Sequence, residues 1–246
     1  GRLDDHHGAL GCAAGGGSNG EAAESARTPD SEASELYQDA RRRLDRGDYQ
    51  TATSLLTDLQ TRFPFGAYFE QAQLDLMLAY FQSGEMESVI LSADRYIRLH
   101  PRSDHVEYAL YMRGRANEAI GRDFLTRTFR LDHRRRDSIP MRTALQDFES
   151  LLRQFPDSRY RDDIESRVAG IRADIAYHEL HVARFYMRRE AHVAAINRAL
   201  GVIELYPETA EADEALTLLD EAYTIMDLPE LRREARQLLE QARTAR

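Results

Sequence analysis

The chain has 246 residues and a formal net charge of −9 at pH 7, and its 33 basic side chains are all arginine because the sequence contains no lysine. An acidic chain repels phosphate backbones, so we expect no nucleic-acid partner. No apolar run reaches the roughly 18 residues that a membrane-spanning helix needs, so we expect no such helix.

Residues 1–30 are predicted to form a flexible leader and tether, because Gly15–Gly17 lies among Ser, Asn and Ala. The single cysteine, Cys12, has no partner for an intrachain disulfide. A small residue before a lone cysteine, followed by a polar linker, resembles a bacterial lipobox and predicts lipidation of Cys12. Two features depart from that pattern: Ala9 stands where leucine is usual, and no apolar signal core precedes it. An unstructured thiol is therefore the alternative for Cys12.

From about residue 31 onward the sequence indicates amphipathic helices joined by short turns. Glycines at Gly47 and Gly84 mark tight turns inside helix pairs. Four dipeptides that join an aromatic residue or histidine to proline each close a helix pair: Phe63-Pro64, His100-Pro101, Phe155-Pro156 and Tyr206-Pro207. This arrangement is typical of tetratricopeptide repeats. We therefore predict an all-α solenoid of five helix pairs, with about ten helices and no strands.

Small residues predict where paired helices cross, since close crossings need little side-chain volume. Ala40 and Ala52 are 12 residues apart, whereas the corresponding Gly114 and Ala144 are 30 apart, which places 18 additional residues inside repeat three. We assign this insertion to residues 121–139. The predicted organisation is the leader at 1–30, repeats one and two with the first helix of repeat three at 31–120, the insertion, and the remaining helices at 140–246.

The fourth repeat begins with the longest predicted helix, over roughly residues 160–189, because its apolar stripe continues without a break apart from Gly170. His178 and His181, with Asp174 one turn earlier, have a spacing that metal sites also use. His178 belongs to the packing stripe, however, so we interpret it as a core histidine and predict no metal site. Phosphate loops, nucleophile elbows and paired cysteines are missing from the sequence, so we predict a protein that is not an enzyme and needs no cofactor.

In a tetratricopeptide array the first helices line a groove, and aromatics interleaved with arginines there suit a peptide that carries aromatic side chains and a carboxylate. The alternative is that these tyrosines only fill helix-packing positions. The predicted groove residues are Tyr37, Arg41, Phe81, Tyr108, Tyr111 and Arg115.

Three segments carry a family resemblance: Arg62–Tyr68 with its continuation to Tyr80, Asp94–Leu99 with Pro101, and Tyr108 with Tyr111–Gly114. They resemble the BamD family, lipoproteins of the outer-membrane β-barrel assembly machinery. The resemblance covers residues 31 to about 240. It implies five tetratricopeptide repeats and a lipid anchor, here Cys12, at the periplasmic face of the outer membrane.

The resemblance also implies partners. These are the barrel protein BamA through its last periplasmic domain, the small lipoprotein BamE, in some bacteria BamC, and the C-terminal strands of unfolded outer-membrane proteins. Arg198 matches a family arginine in the half that faces BamA. The alternative function is a periplasmic tetratricopeptide adaptor of another envelope complex, such as one for cell-wall synthesis. A cytosolic co-chaperone clamp is rejected, because such clamps use a lysine and this chain has none.

Overall fold

The computed structural model describes residues 28–131 and 139–245, and within these ranges the chain forms ten helices and no strand. The predicted all-α class and helix number are confirmed. The helices are α1 (Pro29–Asp45), α2 (Tyr49–Arg62), α3 (Phe69–Gln82), α4 (Met86–Leu99), α5 (Val106–Leu131), α6 (Ile139–Gln154), α7 (Arg161–Arg188), α8 (His192–Leu205), α9 (Ala210–Ile225) and α10 (Pro229–Thr244). Cys12 and most of the predicted leader lie outside the described residues, and α1 begins just inside the boundary assigned to that leader.

The paired helices pack closely at the small residues that the sequence spacing singled out. Ala40 and Ala52 are completely buried, and so is Ala144 opposite Gly114. A Cβ atom at Gly114 would lie only 2.6 Å from Cε1 of Phe148, too close for any side chain. Low volume at these positions is therefore what allows these two helix pairs to pack closely.

The turns inside four of the helix pairs share one backbone geometry, in which a single residue adopts a positive φ. That residue is glycine in the first two pairs, Gly47 at 77° and Gly84 at 81°, but Glu190 at 58° and Asp227 at 55° in the last two. In each turn the next backbone N–H donates to the carbonyl five residues earlier, as from Glu85 to Tyr80 at 2.9 Å. This is the Schellman ending of a helix, which glycine adopts most easily.

The insertion assigned to repeat three is partly a helical extension. Helix α5 continues to Leu131, well beyond the predicted start of the insertion, and α6 begins at Ile139. Residues 132–138 lie outside the described ranges. Gly121 in the extension packs against Met141, since a Cβ there would lie 2.5 Å from Cγ of Met141. The extended part of α5 is therefore packed against α6.

Helix α7 is the longest of the described helices at 28 residues, and it runs without a break through Gly170, as the sequence predicts. At 1.5 Å per residue it is about 42 Å long. Its first half is tied to α5 by Arg167, which pairs with the buried Glu118 at 3.1 Å. Its second half contributes Leu180 and Ala183 to the core shared with α8 and α9. Helix α7 thus connects the two halves of the array.

The core consists of two clusters that meet at α3. One cluster joins α1 and α2 to the side of α3 that carries Ala72, Leu76 and Ala79. The other begins with Leu74 and Met77 and extends through the later helices to α10. Because α3 is covered on both sides, polar residues on it must find partners within the protein.

The positive-φ turns predict that introducing glycine at one turn and removing it at another change stability in opposite directions. A side chain in the left-handed region costs about 1–2 kcal/mol, and glycine's extra freedom in the unfolded chain offsets part of that gain. We therefore expect Glu190→Gly to raise the free energy of unfolding by about 0.5–1 kcal/mol, measured by urea denaturation.

The matched control is Gly84→Ala. No atom lies within 4 Å of a Cβ at Gly84, so alanine there meets only backbone strain. We expect a loss of about 1 kcal/mol. Changes of opposite sign in the free energy of unfolding of the two variants would support the backbone explanation, whereas destabilisation by Glu190→Gly would contradict it.

Candidate functional site on the first-helix face

Asp75 of α3 organises one half of the predicted groove. Its side chain is only 6% exposed, yet its carboxylate accepts hydrogen bonds from Tyr37 Oη at 2.8 Å and Arg41 Nη1 at 3.2 Å, both on α1. Gln71 Nε2 adds a third at 3.1 Å. Charge-assisted hydrogen bonds of this kind are about twice as strong as neutral ones. Two of the predicted groove residues are therefore held by one carboxylate.

The phenol of Tyr37 is fixed on both sides. Its ring stacks on Tyr68 with centroids 5.0 Å apart. Burial, followed by the hydrogen bond to the Asp75 carboxylate, raises the pKa of the Tyr37 hydroxyl. Tyr37 is therefore a permanent hydrogen-bond donor to Asp75 and offers mainly its half-buried ring edge to a ligand.

Arg115 of α5 organises the other half. Its guanidinium lies 4.7 Å from the ring centroid of Phe81 and 5.7 Å from that of Tyr111. Both distances are within the range of cation–π attraction. Among the described residues Arg115 has no ion pair, and its Nε is sealed without a hydrogen-bond acceptor. Arg115 is thus a positioned cation that forms no ion pair among the described residues, although its charge helps to lower the pKa of the Asp163 carboxyl.

Tyr111 is the buried ring on which the Arg115 guanidinium lies. It is only 8% exposed. Its ring stacks on Tyr160 with centroids 4.1 Å apart, and its hydroxyl donates to the Asp163 carboxylate of α7. Although burial opposes the shift, hydrogen bonds from Tyr111 and Arg167 lower the pKa of the Asp163 carboxyl. Tyr111 therefore packs repeat three onto repeat four and holds a face of its ring toward Arg115.

Tyr108 lies between the two halves. Burial is the main cause that raises the pKa of its hydroxyl to about 12, with smaller contributions from Tyr160 and from the Asp75 carboxylate, and Arg115 acts in the opposite direction. Tyr108 is therefore close enough to both Asp75 and Arg115 to feel their charges. We call the set formed by Tyr37, Arg41, Asp75, Phe81, Tyr108, Tyr111 and Arg115 the first-helix cluster.

The sequence interpretation missed Asp75, which is the hub of this cluster. The available signal was its position, because Asp75 is the one charged residue in the stretch from Ala72 to Ala79, which is otherwise apolar apart from Gln73. A lone carboxylate on a helix that is covered from both sides must be paired. The pairing also distinguishes the two predicted groove arginines, since Arg41 already has a carboxylate and Arg115 does not.

Arg198 lies on α8, in a different part of the array. Its side chain is 47% exposed, and Nη1 pairs with Glu179 Oε2 at 2.8 Å. Glu179 also faces Arg142 of α6 at 3.8 Å. These three residues belong to a cavity of about 310 Å³ between α6, α7 and α8. Arg198 is therefore separate from the first-helix cluster and presented at a junction of three helices.

His178 and His181, whose spacing resembles that of a metal site, do not form a cluster of metal ligands. Asp174, one turn before His178, instead pairs with Arg122 of α5. Residues 28–131 and 139–245 contain no group of three or more side chains placed to hold a metal ion. None of the helices in these ranges is both long enough and apolar enough to cross a bilayer.

Comparison with known proteins gives one consistent match. The family model described as the outer membrane lipoprotein YfiO matches residues 29–238. The outer membrane protein assembly factor BamD of Pasteurella multocida is 39% identical over 197 residues, which cover 80% of this chain and 76% of that protein. BamD of Vibrio cholerae is 37% identical over 212 residues, with 86% and 88% covered.

The chain belongs to the BamD family. The resemblance noted on the segments around Arg62–Tyr68 and Tyr111–Gly114 is therefore confirmed over most of the chain. Members of this family are named for outer membrane protein assembly, which favours that role over an adaptor of another envelope complex.

The geometry of the first-helix cluster predicts that Asp75 contributes to stability. Asp75→Asn removes the charge that holds Tyr37 and Arg41, and hydrogen bonds to charged groups contribute about 2 kcal/mol. We expect the melting temperature to fall by about 4–8 °C, measured by circular dichroism.

The matched control is Asp45→Asn, because Asp45 also faces Arg41, at 3.8 Å, but is 70% exposed. Exposed ion pairs contribute little, so we expect a change within about 0.5 kcal/mol. If both variants melted alike, Asp75 would not be the hub of the cluster.

Proposed function

We propose that the protein is a non-enzymatic scaffold of the β-barrel assembly machinery that binds the C-terminal segments of unfolded outer-membrane proteins on the first-helix cluster. The observation that carries this proposal is Arg115, a guanidinium held between two aromatic rings without an ion pair among the described residues. The terminal carboxylate of a bound peptide would give this guanidinium an ion-pair partner through a charge-assisted, bidentate contact.

The members of the cluster take different roles in this proposal. Arg115 receives the terminal carboxylate, because Arg41 is already engaged by Asp75. Phe81, Tyr108 and the ring edge of Tyr37 are half-buried and contact apolar side chains of the bound segment. Tyr111 is buried and acts through Arg115, whose position it sets.

The contact with BamA belongs to another part of the array. We assign it to the surface around Arg198, where an exposed arginine and its partner Glu179 border the cavity between α6, α7 and α8. An exposed ion pair of this kind can exchange its partner for one on another protein at little cost. BamE and, in some bacteria, BamC are further proposed partners, and Cys12 is the proposed lipid anchor at the periplasmic face of the outer membrane.

The peptide assignment is tested with a fluorescein-labelled ten-residue peptide that ends in phenylalanine, prepared once with a free carboxylate and once as the amide. Truncating a central binding residue costs on the order of 2 kcal/mol, or about thirtyfold in affinity. We expect Arg115→Gln to lower the affinity for the free-acid peptide by about this factor and to leave the affinity for the amide peptide nearly unchanged, measured by fluorescence anisotropy.

Two further variants complete this test. Phe81→Ala should weaken both peptides, because it removes an apolar contact rather than a charge. Arg198→Ala is the control, which should keep full peptide affinity while reducing the amount of BamA recovered with the protein. If Arg115→Gln and the wild type bound the free acid equally, the groove assignment would fail.

The anchor is tested by Cys12→Ser. A single acyl chain binds membranes only marginally, so stable attachment needs several chains or a bound partner. We expect the variant to move from the outer-membrane fraction to the soluble periplasmic fraction when Arg198→Ala is also present, with its helical circular dichroism unchanged. Retention of the double variant in the membrane fraction would show that Cys12 is not the anchor.

A further inference from the structure

A cavity of about 330 Å³ opens between the second helices of repeats one and two, and none of its lining residues belongs to the first-helix cluster. We call it the outer cavity. Helices α2 and α4 supply most of its lining, and α3 supplies the rest: Thr57, Gln60, Thr61, Leu76, Tyr80, Leu91, Ser92 and Arg95. In a chain with a net charge of −9, this lining contains a cation and no carboxylate.

Gln60 is the unexplained residue of the outer cavity. Its side chain is buried, with 8% of the residue exposed, and its Nε2 is sealed without a hydrogen-bond acceptor. Buried donors that lack a partner destabilise a folded protein and are rare. A half-turn about the last side-chain torsion exchanges the amide nitrogen with the similarly sized oxygen. Gln60 can therefore turn a donor toward the cavity without losing a hydrogen bond.

Arg95 supplies a second donor at the cavity. It is exposed on α4 and has no ion pair among residues 28–131 and 139–245. Some other arginines in this half of the array are paired, as Arg62 is with Glu32 at 2.9 Å and Arg113 with Asp94 at 2.7 Å. A planar guanidinium beside an amide donor matches the two oxygens of a carboxylate.

Apolar surface accompanies these donors. Leu91 is 70% exposed at the cavity, and Leu76 of α3 is buried beside it. The hydroxyls of Thr57 and Thr61 already donate to carbonyl oxygens of α2, at 2.8 and 2.9 Å, so neither competes as a donor. The cavity therefore combines the Arg95 guanidinium, and the Gln60 amide once it is turned, with an apolar wall.

We propose that the outer cavity binds an acidic side chain of an extended peptide segment, with its carboxylate on Arg95 and Gln60 and a neighbouring apolar side chain on Leu76 and Leu91. Charge complementarity identifies this occupant, since the lining offers donors and a cation and no acid. The site goes beyond the proposed function, because its residues on α2, α3 and α4 include none of the first-helix cluster or the Arg198 surface.

The test is a titration of the ¹⁵N-labelled protein with the peptide Ac-Gly-Leu-Asp-Leu-Gly-NH₂ and with its Asn counterpart, followed by NMR. We expect the Asp peptide to shift the Gln60 side-chain amide resonances and to bind about tenfold more tightly than the Asn peptide. Arg95→Gln should remove this difference. Arg98→Gln is the matched control, because Arg98 is exposed on the same helix but does not line the cavity.

A second variant separates binding from folding. Gln60→Met keeps a similar size and removes the unpaired amide, so we expect it to raise the melting temperature by about 2–4 °C while the preference for the Asp peptide is lost. The proposal is overturned if the Gln60 resonances do not move, or if Arg95→Gln and Arg98→Gln bind the Asp peptide equally. It is also overturned if only Ac-Gly-Ser-Gly-Leu with a free terminal carboxylate binds.

Discussion

The close crossing of paired helices at small residues is the constraint on which the rest of this structure depends. Gly114 leaves no room for even a Cβ beside Phe148, and Ala40 and Ala52 are completely buried where α1 meets α2. In a repeat array each unit packs mainly on its neighbours, so the geometry of one pair sets the position of the next. The first-helix cluster exists because three successive pairs place α1, α3 and α5 side by side.

Buried carboxylates add specificity to this packing. Asp75, Glu118 and Asp147 are each between 4% and 6% exposed, and each is held by an arginine from another helix. Asp147, for example, accepts from Arg113 Nη2 at 2.8 Å and Nε at 3.1 Å. This two-point contact requires the planar fork of arginine. Arginine at these positions therefore has a structural use, because misaligned helices would leave these charges unpaired.

The array distributes its candidate binding sites over separate elements. The first-helix cluster lies on α1, α3 and α5, the outer cavity mainly on α2 and α4, and Arg198 on α8. An assembly factor that meets several partners needs surfaces that do not overlap. Helix α7 connects the first-helix cluster to the Arg198 region, since its first half pairs with α5 and its second half packs on α8 and α9.

The sequence by itself determined the helical class, the paired arrangement and the long α7, because glycine turns, proline ends and small-residue spacing are local signals. It also indicated the family, through extended segments such as Arg62–Tyr68. The turns at Glu190 and Asp227 have the same positive-φ geometry as those at Gly47 and Gly84, although glutamate and aspartate do not predict it.

Only the tertiary structure decided which predicted groove residues are free to act. Tyr111 is buried by Tyr160 and bonded to Asp163, residues about 50 positions away in the chain. Arg41 is paired with Asp75 on α3, whereas Arg115 lies against two aromatic rings and forms no ion pair among the described residues. Burial and pairing depend on such contacts between distant segments, and residue spacing within one helix carries no information about them.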